Sequence, residues 1–456
     1  MAKVGQTLQL KVNRVNEFGT GVVRIQKDVY YIPHVLINEV VKVKVVKRIK
    51  EGFVCEVIAH VEKHKDRVKP ICDIYQKCGS CHMLHMKKEA QLEYKQRELI
   101  ELVKKNGLSL HVHPVIGLEN PYAYRNKMII GFEKGKDRKI KAGFYEEHSH
   151  RIVPYHRCHL HDEGCDRIIH SIEELMMKFS IEPYDEKRRT GVLRHVLLRK
   201  GFVSGQIMVV LVINTTVFAA RKNFVKALIE RHPEITTIVQ NINTRKTSIV
   251  LGDQERVLYG PGYIEDTLCG LVFRISAKSF YQINHEQTEV LYKKAIGLLQ
   301  LRGKETVIDA YCGIGTIGMY VAQFVKQVIG VEVNKDAVQD AKMNAVRNHV
   351  NNIRFLCDDA SSFMMKLASQ KTKVDIVIMD PPRSGSNEIF MNAVRKLAPK
   401  QVVYISCNPE TQLRDLKYFK KIGYIAKDLY PVDLFPHTYH TESICLIERR
   451  DKEYRV

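Results

Sequence analysis

Cys407, in Ser406-Cys407-Asn408-Pro409, directly follows the apolar run Gln401 to Ile405, a strand that delivers the thiol to the carboxyl edge of a sheet. Alone, a cysteine at a strand end reads as packing, because free cysteine is among the most buried residue types. Beside a base it becomes a nucleophile. Carbon 5 of a uracil ring attacks nothing by itself, but a thiolate added to carbon 6 makes the ring an enolate that can attack a sulfonium methyl group. The proton left on carbon 5 must then be removed before the thiolate can depart. Glu442, in His440-Thr441-Glu442, is the carboxylate placed to do so.

Such a pair needs a methyl donor nearby. Val307-Ile308-Asp309-Ala310-Tyr311 reads as a buried strand running into Cys312-Gly313-Ile314-Gly315-Thr316-Ile317-Gly318, where glycines permit a tight turn and close ligand approach before a helix. Glu332 ends the next strand, where a carboxylate accepts hydrogen bonds from both ribose hydroxyls of a nucleoside. The same pattern also suits a dinucleotide-binding dehydrogenase. Asp380-Pro381-Pro382-Arg383 ends a further strand with a stiff loop, either an ordinary turn or a device for positioning a base.

The elements that position these residues follow from periodicity. Beyond about residue 280, helical segments alternate with apolar strands at 307–311, 328–333, 353–356, 374–379, 401–406 and 443–448, the pattern of an α/β, Rossmann-like, mostly parallel sheet. Residues 1–62 alternate apolar and polar positions, as in Val40-Val41-Lys42-Val43-Lys44-Val45, and predict a small, oligonucleotide-binding type of β-barrel. Lys42, Lys44, Lys47, Arg48 and Lys50 on its outer side suit a phosphate backbone or a merely solvated face. Residues 63–275 carry a cysteine-rich loop, a helix over Lys87 to Lys105, strands Val192 to Arg199 and Gln206 to Ile213, and a helix Phe218 to Arg231, an α+β central domain. Residues 276–456 form the third domain.

In the central stretch, Cys72-x5-Cys78-x2-Cys81 supplies three thiolates from one loop, and Cys158 can fold back as a fourth. Four thiolates suit zinc or a 4Fe–4S cluster, and spacing alone favours zinc, with His82 and His85 keeping mixed ligation open. Tyr124-Arg125-Asn126-Lys127 and the stretch Lys187 to His195, with Arg189 and Arg194, combine guanidinium groups with polar or aromatic neighbours, as phosphate and base contacts do.

Composition agrees. With 72 Lys plus Arg against 51 Asp plus Glu, the formal charge of +21 points to a polyanionic partner, nucleic acid first. No run approaches the ~18 apolar residues of a membrane span, and no cationic segment followed by an apolar stretch opens the chain. A cytoplasmic monomer is expected, with eleven cysteines reduced as metal ligands, nucleophile or core.

The order of these segments resembles the bacterial RNA uracil-5-methyltransferase family, in its 23S ribosomal RNA branch. The match runs through Ser279-Phe280-Tyr281-Gln282-Ile283-Asn284, Asp309 to Gly315, Asp380 to Arg383, Ser406 to Pro409 and His440 to Glu442. The resemblance implies that Gln282, Tyr311, Gly313, Glu332 and Asp380 contact S-adenosylmethionine, with Thr316 and Asp359 beside them. It implies catalysis by Cys407 and Glu442, an N-terminal TRAM module, and a 4Fe–4S cluster on Cys72, Cys78, Cys81 and Cys158, which reverses the preference for zinc. The target uridine, in a single-stranded loop, must be flipped out to reach Cys407, with Phe280 or Pro382 stacked on it. A transfer-RNA enzyme of the same chemistry and a non-catalytic iron–sulfur RNA-binding protein are the alternatives.

Overall fold

A computed structural model of the chain describes residues 3–147 and 149–450. The outer limits of the first and last predicted domains, residues 1–2 and 451–456, lie outside the described residues.

Alternation builds the N-terminal sheet. In Val40–Ile49 the side chains of Val41, Val43 and Val45 enter a core with Tyr30, Ile32 and Phe53, while Lys42 and Lys44 face outward. The six strands run in the order Thr7–Lys11, Val40–Ile49, Gly52–Glu62, Asp28–Ile32, Gly21–Ile25, Arg14–Val15. Among the described residues the two outer strands do not pair, so the sheet is not closed into the expected small β-barrel. The reason is local: Arg14–Val15 is two residues long and its pairing goes to Gly21–Ile25.

The central sheet has seven strands, Ile152–Pro154, Ile140–Tyr145, Lys127–Lys134, Leu193–Lys200, Ile207–Ile213, Ile235–Ile242 and Gln254–Tyr259, in that order. Only Ile207–Ile213 and Ile235–Ile242 are parallel neighbours, joined by the helix Arg221–Arg231. Its two faces serve two cores. Val196 and Leu198 pack with the helix Glu163–Lys178, and Leu197 packs toward the C-terminal body with Tyr281 and Phe273.

The C-terminal sheet carries the parallel strands Ile353–Cys357, Gln327–Glu332, Thr306–Ala310, Ile376–Met379 and Gln401–Ser406, then Glu442–Arg449 antiparallel, then Asp428–Val432. Its last member comes from far upstream: His111–Val112 lies parallel to Asp428–Val432. The helix Lys88–Lys105 lays Leu99 and Val103 on the same core. Both elements sit inside the stretch 63–275 read as one domain, yet their apolar faces are buried against the C-terminal sheet. No described helix is long and apolar enough to cross a membrane.

Candidate active site

Register places the chemistry. Ser406 pairs with Ser443 across the antiparallel strands, so Cys407, the first residue past its strand, lies at the edge where Glu442 opens the neighbouring strand, itself paired with Val432. The neighbouring parallel strand ends with Met379 beside Tyr404 and releases Asp380 there. The next ends with Ala310 beside Met379 and releases Tyr311. Asn408 ties the loops together: its amide nitrogen donates to the Arg383 carbonyl at 3.0 Å, and its Oδ1 accepts the Glu410 N–H at 3.1 Å, capping the helix Pro409–Lys421.

The edge is rich in buried carboxyl groups. Burial, and then the Asp380 carboxylate, push Glu442 well above the ordinary range, with the Arg383 guanidinium opposing. Burial raises Asp380 as well. Asp309 is pushed up to about 8, by burial first and then by Asp380 and Glu332. Cys407 is pushed up to about 11, by burial and then by Glu442 and Asp380, with Arg383 again opposing. A ligand bearing a positive charge, such as the sulfonium of S-adenosylmethionine, would relieve this crowding.

The glycine turn is shaped for close approach. Gly313 N–H donates to Glu332 Oε2 at 3.1 Å and Asn334 N–H to Oε1 at 2.8 Å, fixing the carboxylate at the strand end. Gly315 has φ +84°, and a Cβ there would stand 2.5 Å from the Phe355 ring. Thr316 shares a hydrogen bond of 2.8 Å with the buried Tyr292 hydroxyl. Asp359 is exposed and caps the helix Ala360–Ser369, its Oδ1 accepting Ser362 N–H at 2.9 Å. Gln282 is half-buried, and its carbonyl accepts from the Asn126 amide at 2.8 Å.

The predicted RNA contacts divide. Phe280 is 66% exposed between buried Ser279 and Tyr281. Arg125 and Lys127 are half-buried and two residues apart on one face; Lys127 pairs across the sheet with buried Arg199, and burial, then Arg199 and Arg125, lower its amine to about 8. Arg189 is exposed in the loop 185–190. Arg194, by contrast, is buried and spends its guanidinium on protein, donating to the carbonyls of Asn243 and Arg245, each at 2.8 Å. It shapes the loop 243–247 from inside.

Cys72, Cys78, Cys81 and Cys158 line one small cavity. Among the described residues no group of three or more cysteine, histidine or acidic side chains is arranged to hold a metal ion.

Residues given no role from the sequence complete the site. Asp309, a lone acid in an apolar strand, carries a signal in the sequence. Its Oδ2 is buried with no hydrogen-bond partner. Arg383 stands beside both Cys407 and Glu442. Lys95 and Gln91, on the helix Lys88–Lys105, hold the segment that leads into Glu442. Nothing in the pattern of that helix marks them.

Fold and site together define an S-adenosylmethionine-dependent methyltransferase. The family described as tRNA (uracil-5-)-methyltransferase matches residues 163–450. An uncharacterized RNA methyltransferase of Halalkalibacterium halodurans is 39% identical over 447 residues, covering 97% of each chain. One from Listeria monocytogenes is 40% identical over 452 residues, 98% of each. The tRNA (uracil-54, C5)-methyltransferase of Pyrococcus abyssi, solved in complex with S-adenosyl-L-homocysteine, has a TM-score of 0.78 at 25% identity and covers 96% of this chain and 100% of its own. The chain belongs to the RNA uracil-5-methyltransferase family.

Proposed function

We propose that the protein methylates carbon 5 of a uridine in 23S ribosomal RNA, with Cys407 as covalent nucleophile and Glu442 as general base. The observation that supports this reading is the register that brings Cys407, just past its strand, to the edge where Glu442 opens the neighbouring one, next to Asp380.

The chemistry follows from the chain's own groups. A half-buried thiol raised to about 11 is not a standing thiolate, so its proton must pass to a carboxylate as the uracil arrives, and the crowded acids beside it are proton acceptors of raised basicity. The thiolate then adds to carbon 6, and the pair of electrons moves to carbon 5 and the carbonyl. Bound S-adenosylmethionine supplies the methyl group that carbon 5 takes up. Glu442 removes the carbon 5 proton, and expulsion of the thiolate restores the ring. Glu332 is positioned for the ribose hydroxyls, Gln282, Tyr311, Gly313 and Asp380 for the rest of the donor, and Asp359 and Thr316 for its margins. Phe280 offers an exposed ring to the flipped base, while Arg125, Lys127 and Arg189 meet phosphate from a single-stranded loop, and Arg194 holds the loop behind them.

Cys72, Cys78, Cys81 and Cys158, which line one cavity, would hold a 4Fe–4S cluster, as the family resemblance of their spacing implies. It would shape the central region, because methyl transfer has no redox step. The N-terminal sheet, to about residue 62, is the RNA-binding TRAM-like module, followed by the central and methyltransferase domains of a monomer.

Transfer RNA is the second reading. The whole-length likeness to the Pyrococcus abyssi enzyme, which includes the N-terminal module, favours it and removes that module as a discriminator. The cysteine spacing supports the ribosomal reading. Labelled methyl transfer to 23S and transfer RNA in parallel, with nucleoside analysis and anaerobically purified protein, separates them. 5-Methyluridine in 23S RNA alone is the expected result, and label confined to transfer RNA overturns it.

A further inference from the structure

Three segments far apart in sequence bring aromatic rings together around Tyr439. Tyr439, half-exposed and three residues before Glu442, has the His440 ring centre 4.4 Å away and that of His82, from the cysteine-rich loop, at 4.6 Å. Phe18, from the N-terminal sheet, meets Tyr439 edge-on at 5.5 Å.

Phe18 is 54% exposed, yet its turn is held firmly. Asn16 Oδ1 accepts the N–H groups of Phe18 and Thr20 at 3.1 and 2.9 Å, and the Asn16 carbonyl accepts the Tyr94 hydroxyl at 2.7 Å. The turn therefore holds a large apolar ring at the surface beside Tyr439. Its surroundings name the chemistry. Arg383 acts on Tyr439 and His440, Arg125 acts on His440, and Glu147 acts on Tyr439. Burial and these cations lower His440 to about 4, so its ring is neutral at physiological pH. Aromatic rings beside guanidinium groups, on a chain of net charge +21, match an unpaired base and its phosphate.

We propose that Phe18, Tyr439 and His82 form a ledge on which an unpaired RNA base flanking the target uridine stacks. The ledge bridges the N-terminal sheet and the active-site edge, so it would fix how far the flipped uridine lies from the next ordered base. It rests on the reading of the protein as a uridine methyltransferase, and its test does not use methylation.

The probe is a labelled oligouridylate carrying 5-iodouridine, bound to the full chain. Phe18→Ala should weaken binding about fivefold or more without changing thermal melting, and Phe18→Trp should keep it. Tyr439→Leu should weaken it similarly, and photocrosslinks should map to Phe18 or Tyr439. Wild-type affinity in both Phe18→Ala and Tyr439→Leu, or crosslinks confined to Phe280 and other sites, would overturn the ledge. Absence of 5-methyluridine in a separate methylation assay with wild-type protein would instead strike the enzymatic reading.

Discussion

The Lys95 ammonium lies 2.6 Å from Asp433 Oδ1, with both side chains almost completely withdrawn from water. Its three N–H groups have three acceptors: Asp433, the His440 carbonyl at 2.8 Å and the Phe435 carbonyl at 3.2 Å. One turn earlier, Gln91 accepts the His437 N–H at 3.1 Å. The helix Lys88–Lys105 therefore grips both ends and the middle of the segment that delivers Glu442.

Lys95→Met leaves Asp433 as an unpaired buried charge, which costs about 3–5 kcal/mol. The denaturation midpoint should fall. Adding Asp433→Asn should recover much of the stability but not the methylation rate, because His440 still loses its anchor. Full activity in the double variant would show that the grip is not needed to place Glu442.

Cys407→Ala should reduce methyl transfer on the order of a thousandfold or more while S-adenosylmethionine binding survives. Glu442→Gln should stop the reaction after methyl transfer and leave protein joined to RNA, visible as a retarded band on a denaturing gel. Normal turnover by Cys407→Ala would end the covalent mechanism.

Asp309 gives a pH prediction. Its carboxyl sits near 3.9 in an unfolded chain and is pushed up to about 8 in the fold. A raised carboxyl favours the folded state fully below the lower value, and that contribution is lost as pH climbs through the higher one. Melting temperature should therefore decline between about pH 4 and pH 8. Asp309→Asn should flatten the decline and be the more stable protein at the alkaline end, at the expense of donor binding. An unchanged slope by calorimetry would contradict this.

The cysteine cavity is tested by elemental analysis. Anaerobic preparations should contain iron and acid-labile sulfide with broad visible absorbance, and Cys158→Ala should lose all three. Stoichiometric zinc in their place would refute the 4Fe–4S assignment.

The parallel strands of the C-terminal sheet were readable from sequence to within a residue or two, because strands buried on both faces are continuous apolar runs. Cys407, Glu442 and Glu332 lay where those strands end. The barrel was not readable: alternation predicts strands and cannot say whether the outermost ones meet. Lys95 was invisible for a different reason. In a helix rich in Glu, Lys and Gln it resembles any solvated lysine, and only the distant segment folded over it takes it out of water. Arg194 misled in the same way, since a guanidinium beside other cations reads as surface until its carbonyl partners are placed.

The two-residue strand His111–Val112 has one more consequence. His113, just beyond it, meets Asp428 at 2.9 Å across 315 residues of sequence. The ribosome makes one side of this contact long before the other, so the emerging chain holds an edge strand, a helix and Lys95 in readiness for a sheet that does not yet exist. Contacts of such long range form slowly. Cys407 and Glu442 stand together only after the segment beyond Asp428 has been synthesised and folded back. On the proposed mechanism, catalytic competence therefore waits for the end of synthesis.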